Sequence, residues 1–206
     1  MTTIDYWFTP VSPWTYLGHE RLRSIAAAAG ATVRVRPVDL GGRVFPVSGG
    51  LPLAKRAPQR QAYRLVELKR WSDFLGAPIV LQPRHFPVSA DDAAKLIIAV
   101  DTHDGATEAM AIAGAILRAV WVEERNVADP VVLQALLAEN HLPAQRLDDA
   151  HSQAVHDRYD AETERAIEAG VFGAPTYAIE GELYWGQDRL DFVERALKGA
   201  EGKRAD

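Results

Sequence analysis

The chain of 206 residues contains no cysteine. This absence excludes disulfide bonds, thiolate metal sites and any cysteine nucleophile supplied by the protein itself. The six histidines lack the paired spacing along one helix that metal sites use, so we expect no metal ion. Any thiol chemistry at this protein therefore needs a sulfur atom from another molecule.

Long apolar runs and an excess of basic residues are also missing. No window approaches the roughly 18 uninterrupted apolar residues of a transmembrane helix. The N-terminal stretch lacks the basic and apolar regions of a secretory signal. The formal net charge of −5 argues against nucleic acid or an anionic membrane as a partner, since both favour a basic face. We therefore expect a soluble, cytoplasmic protein with neither kind of partner.

The chain does have a hydrophobic fraction of 48%, enough for a sizeable core, and a clear order of predicted elements. Short β-branched, aromatic or alternating segments predict strands at 4–8, 32–40, 175–179 and 182–185, with 79–81 as a further possible strand. Apolar residues at spacings of three and four predict helices at 14–29, 59–74, 90–102, 107–124, from Asp129–Pro130 onward, 144–169 with interruptions, and 188–197. The tail from Lys198 onward is expected to fray.

The element order is βαβ, a long helical block, and then ββα. Without the block, the remaining order is that of thioredoxin, so the block is best interpreted as an insertion. We predict an α/β protein with a thioredoxin-like fold and a large inserted all-helical domain. Residues 1–48 and 170–206 form the discontinuous thioredoxin-like domain in this prediction, and residues 49–169 form the inserted helical domain.

Ser12 stands between the first predicted strand and the first predicted helix, in the sequence TPVSPW. Unpaired backbone N–H groups and the helix dipole favour negative charge at such a position. Serine is also a preferred N-cap and proline a preferred first helical residue. This motif alone therefore favours a structural cap over a functional residue.

Two later segments are informative in the same way. Pro175 starts a strand after Ala174, which fits an edge strand, a bend or a cis-proline. Gln187 and Asp188 open the last helix, where Asp188 alone would be an ordinary N-cap. In a thioredoxin-like topology both segments meet Ser12 at one edge of the sheet.

Together these motifs resemble those of a known family. Ser-Pro-Trp-Thr-Tyr-Leu after the first strand, Phe-Gly-Ala-Pro-Thr late in the chain and Trp-Gly-Gln-Asp-Arg-Leu after it resemble the DsbA-like superfamily. Within it, nearly the whole chain resembles the kappa-class glutathione transferases and their bacterial relatives, the 2-hydroxychromene-2-carboxylate isomerases. Arg60, Tyr63 and Arg70–Trp71 have spacings similar to those of the isomerases. Oxidoreductases of the superfamily have Cys-x-x-Cys where this chain has SPWT from Ser12, which excludes dithiol chemistry here.

The resemblance implies a glutathione site. Ser12 would be the catalytic residue, because its hydroxyl would donate a hydrogen bond to the glutathione sulfur and favour the thiolate. The backbone of Ala174 would pair with the cysteinyl unit, and Asp188 would pair with the γ-glutamyl ammonium group. The implied glutathione-binding residues are Ser12, Trp14, Ala174, Pro175 in the cis form, Gln187 and Asp188. Kappa enzymes have an asparagine where this chain has Gly50, so Arg60 or Lys55 would meet the glycine carboxylate instead.

The resemblance also implies a reaction and a homodimer. The reaction would interconvert cyclic 2-hydroxychromene-2-carboxylate and open-chain trans-o-hydroxybenzylidenepyruvate, in aromatic catabolism, through reversible thiolate addition to the conjugated system. For such a small aromatic carboxylate, the expected substrate residues are Arg60, Tyr63 and Arg84, with apolar walls from Trp14, Phe45, Phe86, Tyr63 and Trp71. The structural alternatives to substrate binding are that the aromatic residues belong to the ordinary core and that the arginines lie on the solvated surface.

Two other functions remain open at this point. One is a kappa-class glutathione transferase or peroxidase, which acts on electrophiles or hydroperoxides with the same fold and the same thiol. The other is a cysteine-free, non-catalytic thioredoxin-like binding module, in which Ser12 and Asp188 would be helix caps alone. Glutathione affinity separates the binding module from both enzymes.

Overall fold

The structure is a computed structural model that describes residues 2–202, with side chains for residues 2–199. Within this range the strands are β1 (Thr3–Phe8), β2 (Thr32–Pro37), β3 (Thr176–Ile179) and β4 (Glu182–Trp185). The α-helices are α1 (Pro13–Ala28), α2 (Phe45–Ser48), α3 (Pro58–Leu75), α4 (Asp91–His103), α5 (Ala106–Trp121), α6 (Pro130–Glu139), α7 (Arg146–Ala150), α8 (Gln153–Glu168) and α9 (Leu190–Gly202).

The strands form one mixed sheet in the order β2-β1-β3-β4. β1 runs parallel to β2, and β3 is antiparallel to both β1 and β4. Tyr177 of β3 lies opposite Tyr6 on one side and Tyr184 on the other. This topology confirms the predicted α/β class and the βαβ–ββα order of the outer elements.

β1 shows why the sheet is covered on both faces. Successive side chains of a strand point to opposite faces. Ile4, Tyr6 and Phe8 are fully buried in the main core with side chains of α1, α4, α5 and α9. Trp7 lies in a second cluster with Ala166 of α8. The helices between β2 and β3 thus share one core with the sheet, and the predicted domain boundaries at 48/49 and 169/170 stay a prediction.

Local capping explains where several helices begin. Asp129 caps α6 by accepting a hydrogen bond from the N–H of Val131 at 2.9 Å, with Pro130 as the first helical residue, as the sequence predicts. The predicted interruption of 144–169 falls between α7 and α8, where Ser152 caps α8 through the N–H of Val155. These side chains satisfy N–H groups that the helix itself leaves unpaired.

Other boundaries differ from the predictions. The possible strand at 79–81 is wrong: the N–H of Val80 donates to the carbonyl of Trp121 at 2.7 Å, so this segment pairs with a helix end instead of a strand. The second strand stops at Pro37, and Asp39 then starts a short helical turn by accepting from the N–H of Gly42 at 2.7 Å. α2 follows this turn and was not predicted.

The last helix is longer than predicted. A single turn at Gln187–Arg189 leads into α9, which continues to Gly202, and Leu190, Val193 and Leu197 of this helix bury an apolar stripe in the core. The frayed tail is therefore wrong up to residue 202, and residues 203–206 lie outside the described part of the chain. Among the helices described, none has the length and apolar character needed to cross a membrane.

Candidate active site

Two adjoining cavities open where β1, β3 and β4 meet α1 and α3. The first, the Ser12 cavity, has a volume of about 580 Å³ and also contains Phe45 and Phe86. The second, the Asp188 cavity, has a volume of about 610 Å³ and also contains Tyr63 and Trp71. Residues that line both cavities are Trp14, Arg56, Arg60, Arg64, Ala174 and Trp185. One ligand can therefore extend from Ser12 to Asp188.

Ser12 is the N-cap of α1 and is 8% exposed. Its hydroxyl oxygen accepts a hydrogen bond from the N–H of Thr15 at 3.2 Å. A serine hydroxyl has one proton to donate besides its acceptor positions. The cap thus fixes the oxygen at the wall of the cavity and leaves the proton available for an anion beside the positive end of the helix.

Ala174 presents unpaired backbone groups to both cavities. The Ala174–Pro175 peptide bond is cis, as the resemblance implies, and the carbonyl of Pro175 accepts from the N–H of Gly186 at 2.9 Å. Within residues 2–202, neither the N–H nor the carbonyl of Ala174 has a hydrogen-bond partner. An extended peptide bound here can satisfy both groups in the manner of an added strand.

Gln187 and Asp188 form the opposite end of this region. Gln187 is 2% exposed, and its side-chain oxygen accepts from Arg21 at 3.2 Å, so its amide is held against α1. Asp188 is more exposed, and its carboxylate pairs with Arg189 at 2.7 Å. Gly186 has φ +103, and a Cβ there would lie 2.5 Å from the Asp188 carboxylate. A glycine is therefore needed for Asp188 to occupy this position.

The inward face of α3 forms a wall of the Asp188 cavity. Arg60, Tyr63, Arg64, Glu67 and Trp71 line it, and their spacings of three, four and seven place them on one side of the helix. Of the expected substrate residues, the structure brings Arg60 and Tyr63 to the cavities.

It does not bring Arg84 there. That side chain is exposed and lines neither cavity, and its backbone N–H donates to Glu124 at 2.9 Å.

Sequence reasoning missed several lining residues. Arg56 and Arg64 precede and follow Arg60 by four positions, so the periodicity that places Arg60 on this face also pointed to them. Trp185, which lies within the quoted Trp-Gly-Gln-Asp motif, packs against Phe172 with ring centroids 4.7 Å apart. A peptide bond between Phe86 and Pro87 is also cis, and no signal in the sequence predicted it.

The structure explains why residue 50 is a glycine. A Cβ on Gly50 would collide with the ring of Phe45, which covers this position from α2. An asparagine side chain, expected here from the kappa enzymes, therefore does not fit while Phe45 occupies its present place. The ring of Phe45 lines this part of the Ser12 cavity.

Comparisons with known proteins identify the family of this chain. Residues 3–198 match the model of the DSBA-like thioredoxin domain. The chain belongs to the DSBA-like thioredoxin family. A relative from Pseudomonas putida, named 2-hydroxychromene-2-carboxylate isomerase, is 32% identical over 94% of this chain and 93% of its own length. A relative of the same name from Pseudomonas sp. (strain C18) is 31% identical, over 96% and 91%.

A solved structure agrees over the whole length of this DSBA-like chain. The solved structure of a 2-hydroxychromene-2-carboxylate isomerase superposes with a TM-score of 0.82 at 27% identity, covering 99% of this chain and 98% of the other. As a DSBA-like domain without cysteine, this protein offers a hydroxyl proton, a helix N-terminus, free backbone groups and arginines. These groups can bind and polarise an anionic molecule.

Proposed function

We propose that this protein is a glutathione-dependent isomerase that interconverts 2-hydroxychromene-2-carboxylate and trans-o-hydroxybenzylidenepyruvate. The names of its relatives, which match it over more than nine-tenths of their lengths, support the reaction. The observation that carries the proposal is the Ser12 hydroxyl, held by Thr15 at 3.2 Å with its proton free at the start of α1.

The residues of the two cavities fit glutathione. The unpaired N–H and carbonyl of Ala174 match the backbone of the cysteinyl unit. Asp188 lines the Asp188 cavity together with Ala174, and its carboxylate would meet the γ-glutamyl ammonium group there. Ser12 lies on the other side and would donate its hydroxyl proton to the sulfur atom.

In this proposal bound glutathione supplies a nucleophilic thiolate that adds to the conjugated substrate and later leaves, which frees a former double bond to rotate. Ser12 favours the ionised sulfur by hydrogen bonding, and the N-terminus of α1 adds its positive partial charge. Trp14, Phe45 and Phe86 exclude water from the Ser12 cavity, and Arg60 lies at its rim to attract an anionic aromatic compound.

Two measurements test the proposal. Isothermal titration calorimetry with glutathione is expected to show binding at millimolar concentration or below, and absence of binding would leave only the non-catalytic module. An ultraviolet assay on 2-hydroxychromene-2-carboxylate is expected to show turnover that requires glutathione. Turnover of electrophiles or hydroperoxides, without isomerisation, would assign the kappa-type transferase or peroxidase instead.

We further propose that the protein acts as a homodimer in the cytoplasm. Two apolar side chains of α3 are exposed, Val66 (44%) and Phe74 (79%), and they offer apolar surface that a second copy can cover. Light scattering coupled to gel filtration measures the assembly directly. A monomer at all concentrations would contradict this part of the proposal.

A further inference from the structure

Arg64 is a partly buried cation with no ion pair in the described residues. Its guanidinium lies over the ring of Phe86, 5.4 Å from the centroid, and 5.7 Å from the ring of Trp121. Two other arginines with largely covered side chains differ in this respect: Arg36 and Arg146, whose side chains are 14% and 15% exposed, each contact two carboxylates. Arg64 is shielded by aromatic rings but lacks a carboxylate.

The surroundings of Arg64 disfavour its charge. Burial, together with the neighbouring charge of Arg56, lowers the pKa of the Arg64 guanidinium to about 10. The group still carries its proton at neutral pH, so the protein holds an uncompensated positive charge in an aromatic wall. A bound anion would offset this cost and would gain two parallel hydrogen bonds from the planar guanidinium.

The location of Arg64 relates it to the proposed chemistry. Trp121, on which it stacks, donates its indole N–H to the carbonyl of Val11 at 3.3 Å, one residue before Ser12. Phe86, the other ring, lines the same cavity as Ser12. A flat aromatic ligand between Ser12 and Phe86 therefore has Arg64 within the same enclosed space.

The neighbouring arginines are less suited to this role. Arg56 is tied by its Nε to the carbonyl of Leu51 at 2.8 Å, outside helix α3. Arg60 is exposed at the rim, where water competes for its hydrogen bonds. Arg64 alone of these three combines aromatic stacking with a free guanidinium.

We propose that Arg64 binds the carboxylate of the aromatic substrate and selects carboxylates over uncharged aromatic compounds. The inference deepens the proposed function and rests on it for the identity of the substrate. It assigns specificity to a residue that the sequence motifs did not indicate, in place of the exposed Arg84.

The test compares an aromatic carboxylate with an uncharged analogue of the same shape. Calorimetry with trans-cinnamate and trans-cinnamamide, in the presence of glutathione, measures discrimination without requiring turnover. The wild-type protein is expected to bind cinnamate about 10- to 100-fold more tightly than the amide. Arg64→Met is expected to remove this preference, and Arg64→Lys to restore part of it because the charge returns.

The matched control is Lys69→Met. Lys69 lies on the same helix, is 65% exposed and pairs with Asp73, so this variant removes one positive charge away from the cavities. It is expected to keep the preference for cinnamate. The same variants are then assayed with 2-hydroxychromene-2-carboxylate, where Arg64→Met is expected to lower kcat/KM by a similar factor.

Three outcomes would overturn the inference: no preference in the wild-type protein, a preserved preference in Arg64→Met, or an equal loss in Lys69→Met. Loss of glutathione affinity in Arg64→Met, with the cinnamate preference intact, would assign Arg64 to glutathione instead. Failure of the proposed function is a separate result, since it requires wild-type protein that binds no glutathione or turns over no chromene.

Discussion

Replacement of Ser12 by alanine separates two effects that the structure combines in one hydroxyl group. The oxygen accepts from the N–H of Thr15 and so caps α1. Loss of such a cap lowers the free energy of unfolding by about 1 kcal/mol. The proton would donate to the bound sulfur, and a hydrogen bond to a charged group contributes about 1.5–3 kcal/mol. The chemical effect is therefore the larger of the two.

The magnitude can be expressed as a pKa. Since one pKa unit corresponds to about 1.4 kcal/mol, Ser12→Ala is expected to raise the pKa of the bound glutathione thiol by about 1–2 units. The N-terminus of α1 remains in the variant, and its contribution of about 0.3–1 kcal/mol keeps the thiol slightly more acidic than in free glutathione. Turnover at neutral pH is expected to fall by about 10- to 100-fold.

The assay is a pH titration of thiolate absorbance in the ultraviolet, on protein saturated with glutathione. Ser152→Ala provides the control, because Ser152 caps α8 through the N–H of Val155 at 3.4 Å. The control is expected to lose similar stability with an unchanged thiol pKa. If Ser12→Ala leaves the thiol pKa and the turnover at wild-type values, the proposed role of Ser12 is refuted.

Three further predictions concern the other end of the site and the core. Asp188→Asn is expected to weaken glutathione binding about 10-fold in calorimetry, because the γ-glutamyl ammonium group loses its counter-charge; an unchanged affinity would place that group elsewhere. Gly186→Ala places a Cβ atom on a residue with φ +103 and 2.5 Å from the Asp188 carboxylate. Urea unfolding is therefore expected to show a free energy of unfolding lower by about 1–3 kcal/mol, and an unchanged value would contradict the close approach. His19 is neutral and buried between the hydroxyl of Tyr6 (3.2 Å) and the carbonyl of Met110 (2.8 Å), and burial lowers its pKa to about 4. Below the ordinary pKa of about 6.5, His19 binds a proton in the unfolded chain but not in the folded chain. The free energy of unfolding is therefore expected to fall by on the order of 3 kcal/mol between pH 6.5 and pH 4. Unfolding experiments on His19→Gln should show a smaller pH dependence.

The elements that sequence patterns predicted well are those with strong periodicity or a clear cap. Asp129–Pro130 gave the start of α6, and the β-branched and aromatic run around Tyr6 gave β1. The segment at 79–81 has the same β-branched composition, yet its N–H pairs with a helix end across the core. Composition does not reveal such a partner, since the partner is set by tertiary packing.

In the candidate site too, some residues could be predicted from the sequence and others depend on tertiary packing. Ser12, Ala174 and Asp188 line the two cavities because motif and topology both place them at strand and helix ends. The spacing of four from Arg60 places Arg64 on the same helix face, but the sequence does not show how far Arg64 or Arg84 is buried. Their difference is one of burial: Arg84 is solvated, and Arg64 stacks on aromatic rings supplied by distant segments.

The inward face of α3 has a consequence for how such a protein diversifies. The groups proposed to hold and ionise the thiol, Ser12, Ala174 and Asp188, belong to turns at the ends of β1, β3 and β4. The face of α3 at positions 60, 63, 64, 67 and 71 belongs to a separate helix, with no backbone hydrogen bonds to the sheet among the described residues. Under the proposed function, exchange of this helical surface alters the side chains that α3 contributes to the substrate site, while Ser12, Ala174 and Asp188, which act on the borrowed thiol, are left in place. A graft of this face from one family member to another is expected to transfer the carboxylate selectivity assigned to Arg64.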